Sequence, residues 1–483
     1  MASIDRLSAL PDDILFHILS LLPFKTSVST SALAARWRFL WSSAPNIQLT
    51  EDESNSIPES ISDHGKFVDV LTKILSQCKA HNVNTLRLHM DYCYWHEFEP
   101  CLESAFVCRV KILDLTMRYD PEILPPCVFT SKTLVDLRLN LFDIKIKNVT
   151  VCLPALKRLH IEFVSIDGSL ENLISGCPVL EVFTVDYFIR CDENVVSHCI
   201  SSSTMKRLVL NCEFPYKLKI DTPALNYLFL HYNMPHNLSV GSMDSLIEAH
   251  IVVDRLKLIV NDDLYSHSLV EFVGRFSSVK EMSLCAWGEV PDLTSVDLNI
   301  KFHNLAKLTV EGDLHFISYF VEMANKLEVL NVRQCSECES EPLEFPNCLP
   351  ANLIVELHNL TKLELQVDCF FLTYFLENAD KLKVLILRKP FNRERWLAIP
   401  LQVPKCLSSH LKIVQIHELY CTEHELDMVR YLLKNAKVLE RMELHCLPES
   451  IGRISSFDRG SEICEISFNE YKPNYNRLSF NMT

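Results

Sequence analysis

The residues with the most distinctive metal-binding chemistry in this chain are cysteines, and two of them have the spacing of half a zinc site. Cys335 and Cys338 form a Cys-x-x-Cys pair, and Cys348 follows shortly afterwards. A structural zinc ion takes four cysteine or histidine ligands, and no second pair of ligands follows at a usable distance. We therefore expect no metal and no other cofactor.

Residue spacing does not indicate a catalytic site. The stretch His417-Glu418-Leu419-Tyr420-Cys421 lacks the second histidine of a zinc-protease motif, and His417 lies on a predicted strand. The chain has only nine glycines, and they are too far apart for a glycine-rich phosphate loop or a Gly-x-Ser-x-Gly nucleophile motif. We therefore expect no catalytic residues and a protein that is not an enzyme.

Charge argues against nucleic acid as a partner. Aspartate and glutamate number 62 against 47 lysines and arginines, which gives a net charge of −15. The basic stretch from Arg388 to Arg395, with Phe391 and Trp396 interleaved, could contact RNA, but a solvated loop fits an acidic chain better. No uninterrupted apolar run is long enough to span a bilayer, so no membrane partner is expected either.

The 19 cysteines are scattered through apolar stretches and fall below the density of a disulfide-rich scaffold. The N-terminus has no apolar signal core followed by a small-residue cleavage site. We therefore expect buried, reduced thiols and a location in the cytoplasm, the nucleus or both.

The N-terminal 50 residues predict helices that are too apolar for their size. Leu10, Ile14, Ile18 and Leu22 recur every four residues, which is typical of one apolar face of a helix. Pro11 suits the first turn of that helix and Pro23 ends it. A second helical run carries Leu33, Trp37, Leu40 and Trp41. So small a unit cannot bury all these side chains alone, so it must dock on the rest of the chain or on a partner.

These residues resemble a plant-type F-box. The resemblance rests on Asp5-Arg6-Leu7-Ser8, Leu10-Pro11-Asp12-Asp13-Ile14-Leu15, Ile18-Leu19-Ser20-Leu21-Leu22-Pro23, Thr30-Ser31 and Arg36-Trp37-Arg38-Phe39-Leu40-Trp41. Ala34-Ala35 departs from the family, which commonly has Ser-Lys there. The resemblance implies docking on an SKP-family adaptor and, through it, on cullin and RING subunits. The residues implied to bind the adaptor are Leu10, Pro11, Ile14, Leu15, Ile18, Leu19, Leu22, Pro23, Arg36, Trp37, Leu40 and Trp41.

The rest of the chain consists of repeats of the pattern apolar-x-x-apolar-x-apolar. Spacings of mostly 20 to 33 residues lie at or somewhat above the range of leucine-rich repeats, and the alternation at the end of the pattern predicts a strand in each repeat. Parallel stacking of these strands would build a solenoid with a shared core. The repeats begin at Val83, Val110, Leu134, Leu156, Leu180, Met205, Leu225, Leu246, Val279, Leu305, Leu327, Leu360, Leu382, Leu411 and Leu439.

Internal duplication supports the repeats. Residues 304–333 align without gaps with residues 359–388, and 15 of the 30 positions are identical. Both copies carry a tyrosine and, five residues later, an alanine, and Tyr431 with Ala436 forms a third copy. The helical half of each repeat is therefore predicted just before the next strand.

Each predicted strand exposes one residue between its two inward apolar ones. We call these residues the central row, and a solenoid would carry the row on its concave face. Its mixed charge with some aromatic residues favours recognition of a protein. The candidate target-binding residues of the row are Arg138, His160, Phe229, His250, Asn331 and Glu364.

The segment from Cys406 to Cys446 resembles the FBD region that closes many plant F-box proteins with leucine-rich repeats, although Cys421 stands where the family often has glycine. The sequence thus predicts an α/β protein: a small three-helix F-box followed by an irregular leucine-rich-repeat solenoid, with parallel strands on the concave face and helices or loops on the convex face. The predicted domains are an F-box at 1–50, a linker and lead-in helix at 51–82, repeats at 83–404, the FBD region as terminal repeats at 405–446, and its tail or cap at 447–483.

The resemblance implies a substrate-recognition subunit of an SKP–cullin–F-box (SCF) ubiquitin ligase, in which the repeats bind an unknown target protein. The alternative is a non-ligase scaffold or small-molecule co-receptor whose F-box serves only dimerisation or stability. Co-purification of the adaptor separates the two hypotheses, because only the first requires a stoichiometric complex.

Overall fold

The structure is a computed structural model. The structure describes residues 7–43, 46–50, 62–78, 83–90, 95–119, 121–166, 170–186, 190–191, 197–211, 217–232, 238–254, 262–287, 293, 296, 300–312, 314–324, 326–334, 357–366, 370–388, 402–446 and 448–470. The chain divides into two compact units, Met1–Ser245 and Leu246–Thr483.

The first unit begins with helices and continues with parallel strands. Its α-helices are α1 (Asp12–Ser20), α2 (Phe24–Ser29), α3 (Ser62–Cys78), α4 (Trp95–Val107) and α5 (Leu170–Ser175). Its strands are β1 (Asn46–Thr50), β2 (Thr85–Met90), β3 (Ile112–Met117), β4 (Glu122–Ile123), β5 (Asp136–Asn140), β6 (Phe142–Ile144), β7 (Arg158–Glu162), β8 (Ser165–Ile166), β9 (Val182–Asp186), β10 (Arg190–Cys191), β11 (Ser197–Ser201), β12 (Arg207–Asn211), β13 (Lys217–Asp221), β14 (Tyr227–Tyr232) and β15 (Leu238–Val240). Short 3₁₀ helices span Thr30–Ala32, Ala35–Ser43 and Pro126–Thr130.

The second unit alternates strands with helices. Its strands are β16 (Glu248–Asp254), β17 (Glu281–Trp287), β18 (Lys307–Gly312), β19 (Val329–Gln334), β20 (Lys362–Gln366), β21 (Val384–Arg388), β22 (Ile413–Leu419), β23 (Arg441–Cys446) and β24 (Glu465–Glu470). Its α-helices are α6 (Asp262–Gly274), α7 (Leu314–Glu322), α8 (Phe370–Asn378), α9 (Lys405–Ser409), α10 (Glu423–Asn435) and α11 (Ile451–Ser455), and a 3₁₀ helix spans Pro448–Ser450.

All the main strands of the first unit pair in parallel, in the order β1, β2, β3, β5, β7, β9, β12 and β14. Two smaller parallel sheets contain β4, β6, β8 and β10, and β11, β13 and β15. In the second unit β16 to β24 pair in parallel in chain order. Every strand predicted from a repeat start begins two residues after that start, which confirms the predicted repeats.

Each repeat stacks two apolar side chains of its strand on the neighbouring repeat. Leu137 and Leu139 of β5, for example, are almost completely buried. Burying a leucine side chain contributes about 2 kcal/mol relative to leaving it exposed. In the helical half, Ala324, Ala379 and Ala436 of the recurring Tyr/Ala pattern have no exposed surface, so their small size is required where the chain turns toward the next strand.

The parallel sheets extend beyond the repeats predicted from the sequence at both ends. Strand β1 lies within the predicted F-box range, yet it pairs with β2. Strand β24 lies within the predicted C-terminal tail, yet it pairs with β23. Both have the repeat spacing, as Ala44-x-x-Ile47-x-Leu49 and Ile463-x-x-Ile466-x-Phe468, so the sequence signal was present and was missed.

The second helical run of the N-terminal region differs from its prediction. After α2 the chain forms the 3₁₀ helices Thr30–Ala32 and Ala35–Ser43 instead of a continuous α-helix. The Ser29 hydroxyl donates to the Lys25 carbonyl oxygen at 2.8 Å, and the Thr30 hydroxyl donates to that of Ser27 at 2.6 Å. Such side-chain bonds compete with backbone N–H groups for carbonyl oxygens, and they lie where α2 ends.

Strand β22 pairs with β21 in the same register as the preceding repeats, and this pairing generates a prediction about the C-terminal region. A chain that ends at Pro404 is expected to melt at a clearly lower temperature or to aggregate. The reason is that Leu385 and Leu387 of β21, now buried, would become exposed at a cost of about 2 kcal/mol each. Thermal melting followed by circular dichroism measures the change.

A chain ending at Glu470 retains β22 to β24 and is the truncation control. The isolated fragment 405–483 is expected to show no cooperative melt, because its inward side chains lack the β21 surface. A cooperative melt of the fragment, together with an unchanged melting temperature of the chain ending at Pro404, would show that the FBD region is an independent domain.

Candidate functional site

The N-terminal helical region, residues 7–43, has a core of its own. Leu15 and Leu19 of α1 pack against Trp37, and all three side chains are almost completely buried. Trp37 also donates its indole N–H to the Ser8 hydroxyl at 2.8 Å. Leu10, Leu22, Ala34 and Leu40 pack around this core with part of their surface exposed.

Trp41 anchors the end of the same region. Its ring packs edge-on against Phe24, with 6.1 Å between the ring centroids, and its indole N–H donates to the Arg38 carbonyl oxygen at 3.0 Å. Four residues that the resemblance implies as adaptor contacts, Leu15, Leu19, Trp37 and Trp41, are therefore buried. These four side chains belong to the core of the helical region and not to its exposed surface.

A second stripe of α1 faces solvent. Pro11, Ile14, Ile18 and Leu21 are three or four residues apart, which places them on one side of the helix. Ile14 is 47% exposed and Leu21 is 72% exposed, whereas Ile18 is half-buried. Of these four residues, only Leu21 was missed by the sequence analysis.

Further exposed apolar side chains follow in the same region. Leu7, Leu33 and Phe39 are among the exposed large hydrophobic residues of the described chain, and Pro23 is exposed as well. The sequence analysis placed Leu33 on the second helical run and Phe39 in the F-box motif, but it counted neither among the adaptor contacts. The set that we call the apolar surface comprises Leu7, Pro11, Ile14, Ile18, Leu21, Pro23, Leu33 and Phe39.

Arg36 joins the two ends of the helical region. Its guanidinium donates to the Asp12 carboxylate at 2.7 Å and to the Ser8 carbonyl oxygen. Arg36 and Asp12 are both exposed, and an exposed ion pair contributes little to stability. The arrangement positions the start of α1 against the chain that carries Trp37.

The central row is continuous within the first unit. Strand pairing places Arg138 beside His160 on adjacent strands and continues through Thr184 and Val209 to Phe229. Arg138 is exposed, and His160 and Phe229 are half-buried. The predicted residues of this part of the row therefore face the same side of one sheet.

The central row is also continuous within the second unit. His250, Ser283, Thr309, Asn331 and Glu364 are successive register partners. The Asn331 amide donates to the Thr309 hydroxyl at 3.1 Å, and the His250 imidazole contacts the Glu248 carboxylate at 2.6 Å. Hydrogen bonds between neighbouring polar side chains therefore fix some of the side chains on this face.

The last strands of the second unit carry paired histidines beside the row. The rings of His417 and His445 lie 4.4 Å apart between centroids. Burial lowers the pKa of His417, and the neighbouring charges of Arg388 and His445 lower it further. His417 is therefore neutral near pH 7, and it lies on a strand, as predicted, rather than on a metal-binding helix.

The described cysteines are free thiols, and most are buried, as in the case of Cys78, Cys177 and Cys406. Among the described residues no group of three or more cysteine, histidine, aspartate or glutamate side chains is placed to hold a metal ion. Cys335, Cys338 and Cys348, and the basic stretch after Arg388, lie outside the described residues. Within the described part of the chain no helix has the length and apolar character needed to cross a bilayer.

Three family models match this chain. The F-box domain matches residues 7–48, "FBD-associated F-box protein At5g56370, LRR repeats" matches residues 98–249, and FBD matches residues 399–444. The first and last matches cover the regions that the sequence analysis assigned from its resemblance to F-box proteins with leucine-rich repeats. The middle match covers much of the repeats in the first unit.

Similar proteins come from Arabidopsis thaliana. F-box/LRR-repeat protein At4g14103 is 33% identical over 64% of this chain and 85% of its own length. F-box/FBD/LRR-repeat protein At5g22660 is 28% identical over 96% of both chains, and putative F-box/FBD/LRR-repeat protein At5g44950 is 29% identical over 79% of this chain and 92% of its own length. The solved leucine-rich-repeat ectodomain of a plant membrane receptor kinase, also from Arabidopsis thaliana, aligns with 82% of this chain and 56% of its own at 12% identity, with a TM-score of 0.18.

The thiols generate a prediction about chemical reactivity. Burial raises the pKa of Cys177 and of Cys406 to about 12, whereas Cys152 is exposed. Because the thiolate is the form that alkylates, iodoacetamide at pH 8 is expected to modify Cys152 well before Cys177 or Cys406 in the folded protein. Peptide mass spectrometry over a time course measures the order.

Unfolding in guanidinium chloride is the control, since it should make the three rates similar. Equal rates in the folded protein would contradict the burial described here.

Proposed function

Because this chain belongs to the F-box/LRR-repeat protein family and carries an FBD region, we propose that it is the substrate-recognition subunit of an SCF-type ubiquitin ligase. In this proposal the N-terminal helical region docks on an SKP-family adaptor and, through it, on cullin and RING subunits. The central row binds a target protein. The chain itself performs no chemistry, so it is not an enzyme, and it uses no cofactor.

The observation that carries the proposal is the apolar surface of the helical region. Leu21, Leu33 and Phe39 are each more than 60% exposed, although the same region buries Trp37 and Trp41. A contiguous exposed apolar patch is typical of a protein interaction site, and Pro11, Ile14, Ile18 and Leu21 form one along one side of α1. The buried core beneath them supports the surface, so the region can present it without partner-induced folding.

The contribution to ubiquitination would be positional. Holding a target near a charged ubiquitin-conjugating enzyme raises the effective concentration of the reacting lysine. Within each unit the parallel repeats suit this role, because each inner strand is held by a strand on either side. The helical region is joined to the first unit's sheet through β1, which pairs with β2.

The domain organisation that we propose follows the sequence analysis, with one refinement. The F-box occupies residues 1–50, the linker and lead-in helix 51–82, the repeats 83–404, the FBD region 405–446 and its tail 447–483. Strands β1 and β24 add a sheet strand to the first and last of these segments. We propose that the protein is located in the cytoplasm, the nucleus or both, which the free thiols of the described residues support.

The proposal predicts that charges on the apolar surface abolish adaptor binding. The double variant Ile14→Asp/Leu21→Asp introduces two carboxylates on the exposed stripe of α1. Burying an unpaired carboxylate in an interface is costly, so binding is expected to weaken by about 100-fold or more. Affinity for a purified SKP-family adaptor, measured by biolayer interferometry with the full chain, reports the change.

Val107→Asp is the matched control, because Val107 is 70% exposed on α4, outside the apolar surface, and it should bind as the unmodified chain does. Leu15→Ala is a core control that should lower stability by about 2 to 5 kcal/mol. If the folded double variant retained full affinity, or if the unmodified chain formed no stoichiometric adaptor complex, the ligase proposal would fail and the scaffold or co-receptor alternative would take its place.

A further inference from the structure

Three arginines lie close together on the sheet of the first unit. Arg87 belongs to β2, Arg138 to β5 and Arg158 to β7, and all three side chains are roughly half exposed, at 44%, 51% and 48%. The carboxylates between them are covered. The side chain of Asp114 is 19% exposed and that of Asp136 is 4% exposed.

Each arginine contacts its carboxylate through Nε. Arg158 donates to one oxygen of Asp136 at 2.8 Å, and Arg138 contacts the other at 3.4 Å. The Nε atom of Arg87 lies 3.5 Å from Asp114. In the described part of the chain the terminal Nη groups of these arginines have no hydrogen-bond partner, so each guanidinium presents donors to solvent.

Local charge then differs from the charge of the whole chain. The carboxylates lie beneath the guanidinium groups, so an approaching molecule meets the cations first. Charges further away than about 8 Å are largely screened at physiological salt. The net charge of −15 is therefore felt weakly here, and it opposes nonspecific binding of anions elsewhere on the chain.

We propose that this arginine surface, Arg87, Arg138 and Arg158, binds an extended acidic segment of the target protein, a proposal that rests on the proposed function. Arginine forms charge-assisted hydrogen bonds to carboxylates through adjacent N–H groups. In each of the three arginines the two Nη groups are available to donate such hydrogen bonds to a carboxylate of the target. The target would therefore be recognised by glutamates or aspartates.

Strand spacing specifies how the acidic residues should be separated. Arg87 and Arg138 occupy the same register position with β3 between them, so their backbones are about 10 Å apart. Three residues of extended chain span about the same distance. Acidic residues at positions i and i+3 would reach both guanidinium groups.

Neighbouring carboxylates limit the length of the bound segment. Glu162, which lies 3.9 Å from the His160 imidazole, and Asp186 follow on the adjacent row of β7 and β9. These carboxylates repel a polyanion that continues along the sheet. A short acidic segment fits this arrangement better than a nucleic acid strand does.

The test uses fluorescence anisotropy of a short labelled peptide with glutamate at every third position in a glycine–serine background, titrated with the purified full chain. The glutamate peptide is expected to bind at about 50 mM NaCl and more weakly at about 200 mM NaCl. A peptide with glutamine in place of each glutamate should not bind. The double variant Arg87→Gln/Arg138→Gln should lower the affinity about tenfold or more.

This variant leaves Asp136 paired with Arg158 but removes the Arg87 partner of Asp114, and its melting temperature checks that the fold persists. Arg275→Gln/Arg453→Gln is the matched control, because it removes the same charge from exposed arginines of the second unit and should bind the peptide unchanged. Absence of binding, equal binding of the glutamine peptide, or equal loss in the control variant would each overturn the proposal. Tighter binding of a labelled single-stranded oligonucleotide than of the glutamate peptide would also overturn it. The same holds if inorganic phosphate displaced the labelled peptide at a lower concentration than the unlabelled glutamate peptide does.

The peptide assay needs no adaptor. A chain that binds the adaptor but not the peptide disproves only the acidic-segment proposal. A chain that binds the peptide but not the adaptor disproves only the ligase proposal.

Discussion

The rest of the structure depends on the parallel pairing of strands whose inward apolar residues form a shared core. Leu137 and Leu139 of β5 are buried because β3 and β7 lie on either side in exact register. A strand alternates its side chains between two faces. Burial of these leucines therefore forces Asp136 and Arg138 onto the opposite face. The central row is a geometric consequence of the core.

Burial of the inward residues depends on a neighbouring strand at the ends of the sheets as well. Met442 and Leu444 of β23 have no exposed surface, whereas Ile466 and Phe468 of β24, which occupy the same register positions, are half-buried. The described chain places a strand on one side of β24 only. At the other end, β1 lies between the helical region and the repeats, and α2 packs against it. The first strand therefore also carries the connection to the apolar surface.

Sequence periodicity predicted the repeats well. The strand in every repeat from Val83 to Leu439 buries alternate residues, and this alternation is visible in the sequence. Periodicity did not distinguish Ile14 from Leu15, since both belong to a broad apolar stripe and only the position of Trp37 decides which one is buried. It also did not predict the 3₁₀ helices Thr30–Ala32 and Ala35–Ser43, because apolar residues three or four positions apart fit either kind of helix. The backbone at Cys421 was not predicted either: its φ of 60° is in the left-handed region, which glycine adopts more readily than cysteine, and the residue type alone does not reveal the angle.

Asp136 is a residue whose charge the fold itself does not require. Its register partner on one neighbouring strand is Ile112, and two strands further on from β5 the same position is occupied by Val182. Apolar side chains are therefore accepted at this position of the sheet. A nearly buried carboxylate loses hydration, and an ion pair there contributes little net stability compared with apolar packing. What Asp136 does provide is a fixed anchor for the Nε atoms of Arg138 and Arg158, which directs their Nη groups outward. The fold tolerates this charge, and the arrangement of the two guanidinium groups requires it.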